Sequence, residues 1–209
     1  HGLDGGLKLN PFNADTAVQG ENGVIHLKAS QDITLQPGSI ITASGMAGGV
    51  RDGGEIRIVA DGTLNMRGGS EVHVDGGVDG GNGGFLELSG KERIALNGIF
   101  TGVARAEGYH NGSLLIDPLN IVICGSSAAC SGNPPVMLGG FGTDVSGVRT
   151  VPSSSSAAAT FYIDPDMKTG ATWSSVSLTA INDISIASPI TDSDIPVGGS
   201  LTLTAGNDI

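Results

Sequence analysis

Aliphatic residues recur along this chain at fixed offsets from a repeated glycine. The second and fourth residues after Gly23, Gly54, Gly84 and Gly112 are Ile25 and Leu27, Ile56 and Ile58, Leu86 and Leu88, Leu114 and Ile116. The tenth and twelfth are Ile33 and Leu35, Leu64 and Met66, Ile94 and Leu96, while Ile121 and Ile123 arrive one position early in the last set. A further pair, Ile41 with Ala43 and then Val72 with Val74, marks a third segment that becomes irregular between Ile99 and Val103. A spacing of two places side chains on one face of a β-strand, so each unit of roughly thirty residues predicts two or three short strands with one apolar and one wet face.

No such unit can bury its apolar face alone. Stacking successive units about 4.8 Å apart pairs each backbone with the units above and below and builds a continuous aliphatic column. Antiparallel hairpins would not preserve identical offsets across successive stretches of about thirty residues. The pattern therefore predicts an all-β chain folded as a parallel β-helix.

Three segments follow. Residues 1–123 carry the repeating rungs, with Leu7 and Leu9 as the trace of an earlier one. Residues 124–175 break the pattern with Pro134-Pro135, Gly139-Gly140 and the Ser/Ala run from Ser153 to Ala159, which predicts a long loop excursion with a short strand near Phe161 to Ile163. Rungs resume over 176–209, where VSLTAINDI from Val176 and LTLTAGNDI from Leu201 agree at six of nine positions across a period of 25.

Glycine, 35 of 209 residues, clusters at Gly76-Gly77, Gly80-Gly81 and Gly83-Gly84, which reads as corners turned by backbone of positive φ. The net charge of -11 disfavours nucleic acid and anionic lipid surfaces as partners. No stretch of eighteen apolar residues occurs, and the opening at His1 without a signal sequence predicts a soluble piece of a polypeptide that continues beyond both ends. Cys124 and Cys130, separated by Gly-Ser-Ser-Ala-Ala, can close a local disulfide in an oxidising compartment, or stand as two free thiols in a turn. No further cysteine or nearby histidine completes a zinc site.

Candidate chemistry is sparse. The carboxylate doublets Asp164/Asp166 and Asp192/Asp194 are the residues a polysaccharide-active enzyme would use, but the adjoining Pro165, Pro189 and Pro196 make them turn residues first. His1, His26, His73 and His110 have no ligand spacing. Asp75 and Asp79 in VDGGVDGGNGG are the only calcium candidates, and a single copy of that glycine-aspartate pattern cannot supply ligands from successive turns. The expectation is no catalysis, no metal and no cofactor. Outward positions predict a polar ladder of His26, Arg57, Glu87 and Leu115, with Arg57 beside Glu87 as a cross-rung pair. Phe141, Phe161, Tyr162 and Trp173 all lie in the excursion. Aromatics on a loop carried by a rigid scaffold suit stacking on sugars or anchoring a protein, and their simpler role is to fix the excursion to the stem.

GSLLIDPLNIVI at Gly112 to Ile123, followed after a spacer by the NDI-ended repeats, resembles the passenger region of filamentous haemagglutinin-type exoproteins, the large adhesins of bacterial two-partner secretion. The resemblance covers roughly residues 20–123 and 174–209. It implies a right-handed β-helix, export through an outer-membrane transporter, and display on or release from a Gram-negative cell, where the chain would bind a glycan or protein receptor on host, matrix or neighbouring cells. The Asn-Pro-Asn motifs of that family's amino-terminal secretion domain are not found, since Asn10-Pro11 is followed by Phe12. Stalks of contact-dependent toxins and iron-acquisition exoproteins share this secretion route and remain alternatives to adhesion.

Overall fold

The computed structural model describes residues 2–3, 7–9, 17–19, 23–126, 128–133, 135–136, 160–167, 173–195 and 198–209. Among them are eighteen strands and no helix. The strands come in sets of three: β1 (Gly2–Leu3), β2 (Leu7–Leu9) and β3 (Ala17–Gln19); β4 (Val24–Ala29), β5 (Ile33–Leu35) and β6 (Ile40–Thr42); β7 (Glu55–Ala60), β8 (Thr63–Met66) and β9 (Glu71–His73); β10 (Phe85–Gly90), β11 (Arg93–Leu96) and β12 (Ile99–Thr101). Then follow β13 (Gly112–Pro118), β14 (Asn120–Ile123), β15 (Thr160–Ile163), β16 (Trp173–Ala180), β17 (Ile184–Ile186) and β18 (Ser200–Ala205).

Apart from β15, each strand pairs in parallel with its counterpart one set away. The long sheet runs β1-β4-β7-β10-β13-β16-β18, and two four-stranded sheets run β2-β5-β8-β11 and β3-β6-β9-β12. The register matches the offsets read from the sequence: Ile25, Ile56, Leu86, Leu114, Val176 and Leu201 are consecutive partners. Ile33, Leu64 and Ile94 form the second column, and Ile41, Val72 and Phe100 the third. These residues are buried apart from Leu201, which is partly so, and each fully buried aliphatic side chain stabilises the stack by about 1.5–3 kcal/mol.

The glycines divide into two kinds. Gly38 and Gly69 have φ of 84° and 82° and stack turn upon turn, with Gly38 N donating to Gly69 O at 2.6 Å. The glycines that open the rungs are not left-handed. A Cβ on Gly54, Gly84 or Gly112 would lie 2.2, 1.9 or 2.1 Å from the carbonyl oxygen of the opening glycine of the preceding set. Close approach of backbones, not positive φ, fixes glycine there, as it does at Gly76 and Gly83, whereas Gly80 and Gly81 do have positive φ of 133° and 128°.

The excursion departs from expectation in two ways. β15 pairs along the whole of β14 and packs against β11, so the segment returns a strand to the stem and sets β14 one strand away from β11. The fourth sheet accordingly runs β15-β14-β17. The resumed rung also begins at Trp173, not Val176. Gly112 partners Trp173 and Ser113 partners Ser175, a bulge that leaves one extra residue on β16. The indole is buried beneath Gly102, where a Cβ would meet Trp173 Cζ3 at 2.5 Å, and its ring centroid lies 6.5 Å from that of Phe100.

Candidate binding surface

The outward residues of the long sheet form three columns in register. The first is Val24, Glu55, Phe85, Ser113, Ser175 and Ser200; the second is His26, Arg57, Glu87, Leu115, Ser177 and Thr202. The third pairs Lys28, Val59, Ser89 and Asp117 in sequence, and Thr179 with Thr204 on the last two strands. The face is thus charged across its early rungs and lined with hydroxyls across its late ones, where Ser175 and Ser200 share a 2.9 Å hydrogen bond.

Arg57 organises the charged part. Its Nε donates to Glu55 Oε1 and its Nη1 to Glu87 Oε2, both at 2.6 Å, and its guanidinium lies 4.8 Å above the centre of the Phe85 ring. His26 Nε2 is 2.9 Å from Glu55 Oε1, and Ser89 Oγ donates to Glu87 Oε1 at 2.9 Å. The hydrogen bond from Arg57, then that from His26, holds the Glu55 carboxyl below the usual range, and Arg57 is raised chiefly by Glu55. Asp117 behaves oppositely. Burial, and then the charge of Glu87, push its carboxyl upward against the weaker pull of Lys91. Its Oδ1 is buried with no hydrogen-bond partner. The Arg57–Glu87 pair anticipated from the sequence is present. Phe85 and Asp117 were not singled out, although their outward register positions could have marked them.

Of the four aromatics proposed as ligand-binding residues, two are turned into the core. Phe161 and Trp173 are 2% and 1% exposed and belong to the core: β15 turns Phe161 inward beside Ile121, and the bulge turns Trp173 under Gly102. Tyr162, between two inward residues of β15, is half-buried, and Phe141 lies outside the described residues. Cys124 and Cys130 are joined by a disulfide, with both residues buried.

The carboxylate doublets serve turns. Asp166 N donates to Asp164 Oδ1 at 2.9 Å, and Asp194 Oδ2 accepts from Thr191 N at 2.6 Å and Thr191 Oγ1 at 2.7 Å. Asp75 is held by Arg105 Nη2 at 2.8 Å and by the amide of Val103 at 2.9 Å, while Asp79 accepts from the amide of Gly48 at 2.7 Å. These contacts account for both calcium candidates as corner residues. Among the described residues no group of three or more His, Cys, Asp or Glu is placed to hold a metal ion. His73 bridges Glu71 and Thr101 at 2.9 and 2.8 Å, His110 is an exposed corner residue, and His1 lies outside the described residues. An open cleft of about 340 Å³ at the first corner is lined by Ser30, Asp32, Asp61 and Glu92, but Asp61 is paired with Lys91 at 2.5 Å and Asp32 caps the amide of Thr63 at 2.7 Å.

Comparison with known proteins finds no matching family model, no matching curated protein and no matching solved structure.

Proposed function

We propose that this chain is a rigid, right-handed parallel β-helical section of a secreted or cell-surface bacterial adhesin of the filamentous haemagglutinin type. It reaches the exterior through an outer-membrane transporter and binds a glycan or protein receptor on a host, matrix or neighbouring cell. The observation that carries the reading is the register of the long sheet, kept through seven parallel strands. A stack of this kind transmits load along its axis and presents one face and a set of corner loops at fixed spacing. The prevailing right hand of parallel crossover connections supports the right-handed reading. The Cys124–Cys130 disulfide suits an oxidising, extracytoplasmic compartment, and the involvement of the aspartates in turn contacts favours a mechanical role over a hydrolytic one.

Beads coated with the purified chain test this directly. Attachment to glycan-coated, matrix-coated or cell-covered surfaces should exceed that of beads carrying an unrelated protein of equal negative charge. Equal attachment on every surface would remove the adhesive reading.

A further inference from the structure

We infer that the Cys124–Cys130 disulfide is a redox-sensitive clasp that seats β15 in the stem, so that opening the bond loosens this one strand while the long sheet stays folded. The inference goes beyond the adhesive reading and stands without it. β15 is gripped on both edges by segments that the bond joins. On one edge it pairs along the whole of β14, and just beyond the end of β14 the amide of Cys124 donates to Ile163 O at 2.9 Å. On the other edge Val136 forms a parallel bridge with Ile163. Val136 N donates to Tyr162 O at 2.9 Å, and Val136 O accepts from Asp164 N at 2.8 Å.

The disulfide ties these two flanks to each other across a sequence separation of 6. The turn it closes is fixed further by Cys130 N, which donates to Ser126 O at 2.9 Å, and by Asn133, whose amide N and Nδ2 both donate to Cys130 O at 3.0 Å. Val136 follows directly from that turn. With the bond closed, the segment that carries Val136 back across β15 is anchored to the end of β14 at Cys130. With the bond open, its anchor is Cys124, about twice as far away in sequence. The longer loop costs more entropy to close, and the constraint of the bond itself is lost, so the second flank of β15 is held more weakly.

What the clasp holds in place is apolar burial. Val136, Phe161, Ile163 and Met167 are buried, and none of them lies on the long sheet. That sheet does not depend on β15, because β10 pairs directly with β13 from Phe85 with Ser113 to Gly90 with Pro118. Lifting of β15 is therefore a local opening beside a ladder that remains intact. Both cysteines are fully buried, so the seated strand shields the bond, and a dithiol reductant reaches it when the strand lifts. In that step two electrons and two protons pass from the dithiol to the S–S bond, leaving two thiols on the chain and a disulfide in the reductant. A reducing compartment thus loosens β15 and an oxidising one locks it.

Amide exchange tests the inference on three forms of the whole chain: oxidised, reduced in urea and refolded with a dithiol present, and the double variant Cys124→Ala/Cys130→Ala. Exchange at Val136, Asp164 and the residues of β15 should quicken about thirtyfold in both forms that lack the bond, the loop-entropy effect of so short a closure. The amides of β10 and β13 should keep their protection, and Trp173, buried in the oxidised chain, should keep its buried emission. Unchanged exchange in β15 overturns the proposal. Equal quickening in β10 and β13, or loss of the tryptophan signal, overturns it too, because the bond would then support the whole fold and not one strand. Quickening confined to the alanine variant reflects lost sulfur volume and counts against the clasp as well.

Discussion

Replacing Gly84 with alanine should destabilise the stack at one of its tightest seams. The added Cβ would lie 1.9 Å from Gly54 O and 2.7 Å from Gly53 C, where a carbon-oxygen contact needs about 3.3 Å. Both obstacles are backbone, so no side-chain rotation relieves them. The rungs must part by more than an ångström, and three hydrogen bonds stand in the way: Gly84 N to Val74 O at 2.7 Å, Phe85 N to Gly54 O at 2.9 Å and Ser113 N to Gly84 O at 2.9 Å. Overpacking of this kind costs about 1–3 kcal/mol, and each net hydrogen bond lost adds about 0.5–1.5 kcal/mol. Reduced freedom of the unfolded chain returns about 0.4–1 kcal/mol. With one or two of the bonds broken, the net loss is about 2–4 kcal/mol.

Gly68→Ala is the matched comparison. Gly68 sits in an exposed turn, has no positive φ, and its nearest neighbour would be Asn97 O at 3.7 Å. That substitution should be neutral or slightly stabilising. Urea unfolding followed by the single tryptophan, Trp173, buried in the core, reads both. Amide exchange at Gly84, Phe85 and Ser113 should quicken in Gly84→Ala even if distant rungs hold, because repeat stacks lose stability locally. Midpoints for the two variants within about 0.5 kcal/mol of each other would refute the reasoning, since that is the scatter of substitutions that break nothing.

Asp117 makes the stem less stable in base than in acid. Its folded carboxyl is raised by burial and by Glu87, so the folded state holds the proton more tightly, and the associated stability, complete below the ordinary carboxylate range, is lost as pH rises through the raised value. Asp117→Asn should therefore raise the thermal midpoint at pH 7 and lose that advantage toward pH 3, and an advantage that grew in acid would contradict it. Reduction of Cys124–Cys130, which closes a loop with a sequence separation of 6, should cost about 2 kcal/mol on the loop-entropy estimate; an unchanged unfolding midpoint after reduction, checked by thiol titration, would count against a stabilising role.

The aliphatic ladder was legible because its two signals agree. Alternation within a strand fixes the inward face, and the recurrence of offsets from Gly23, Gly54 and Gly84 fixes which strand stands over which. Where parity breaks, the sequence misleads. Counting back by twos from Val176 passes over Trp173, and only the bulge opposite Gly112 and Ser113 turns the indole into the core. Phe100 was hidden in the same way, since an aromatic between Ile99 and Thr101 does not continue the Ile41 and Val72 series by residue type, yet it takes their place in the column.

A long-range pairing is harder still to read. A strand near Phe161 to Ile163 could be inferred from the sequence, but its seat on β14 depends on the closure of a loop of nearly forty residues, whose entropic cost changes little with length and so leaves no mark on composition. The same reasoning governs the outward face. Glu87, Ser89, Asp117 and Phe85 are unremarkable in sequence, and their proximity arises because residues some thirty apart become lateral neighbours once the rungs stack. Chemistry on such a surface is written across the repeat and not along it, so a site there emerges only after the register is known.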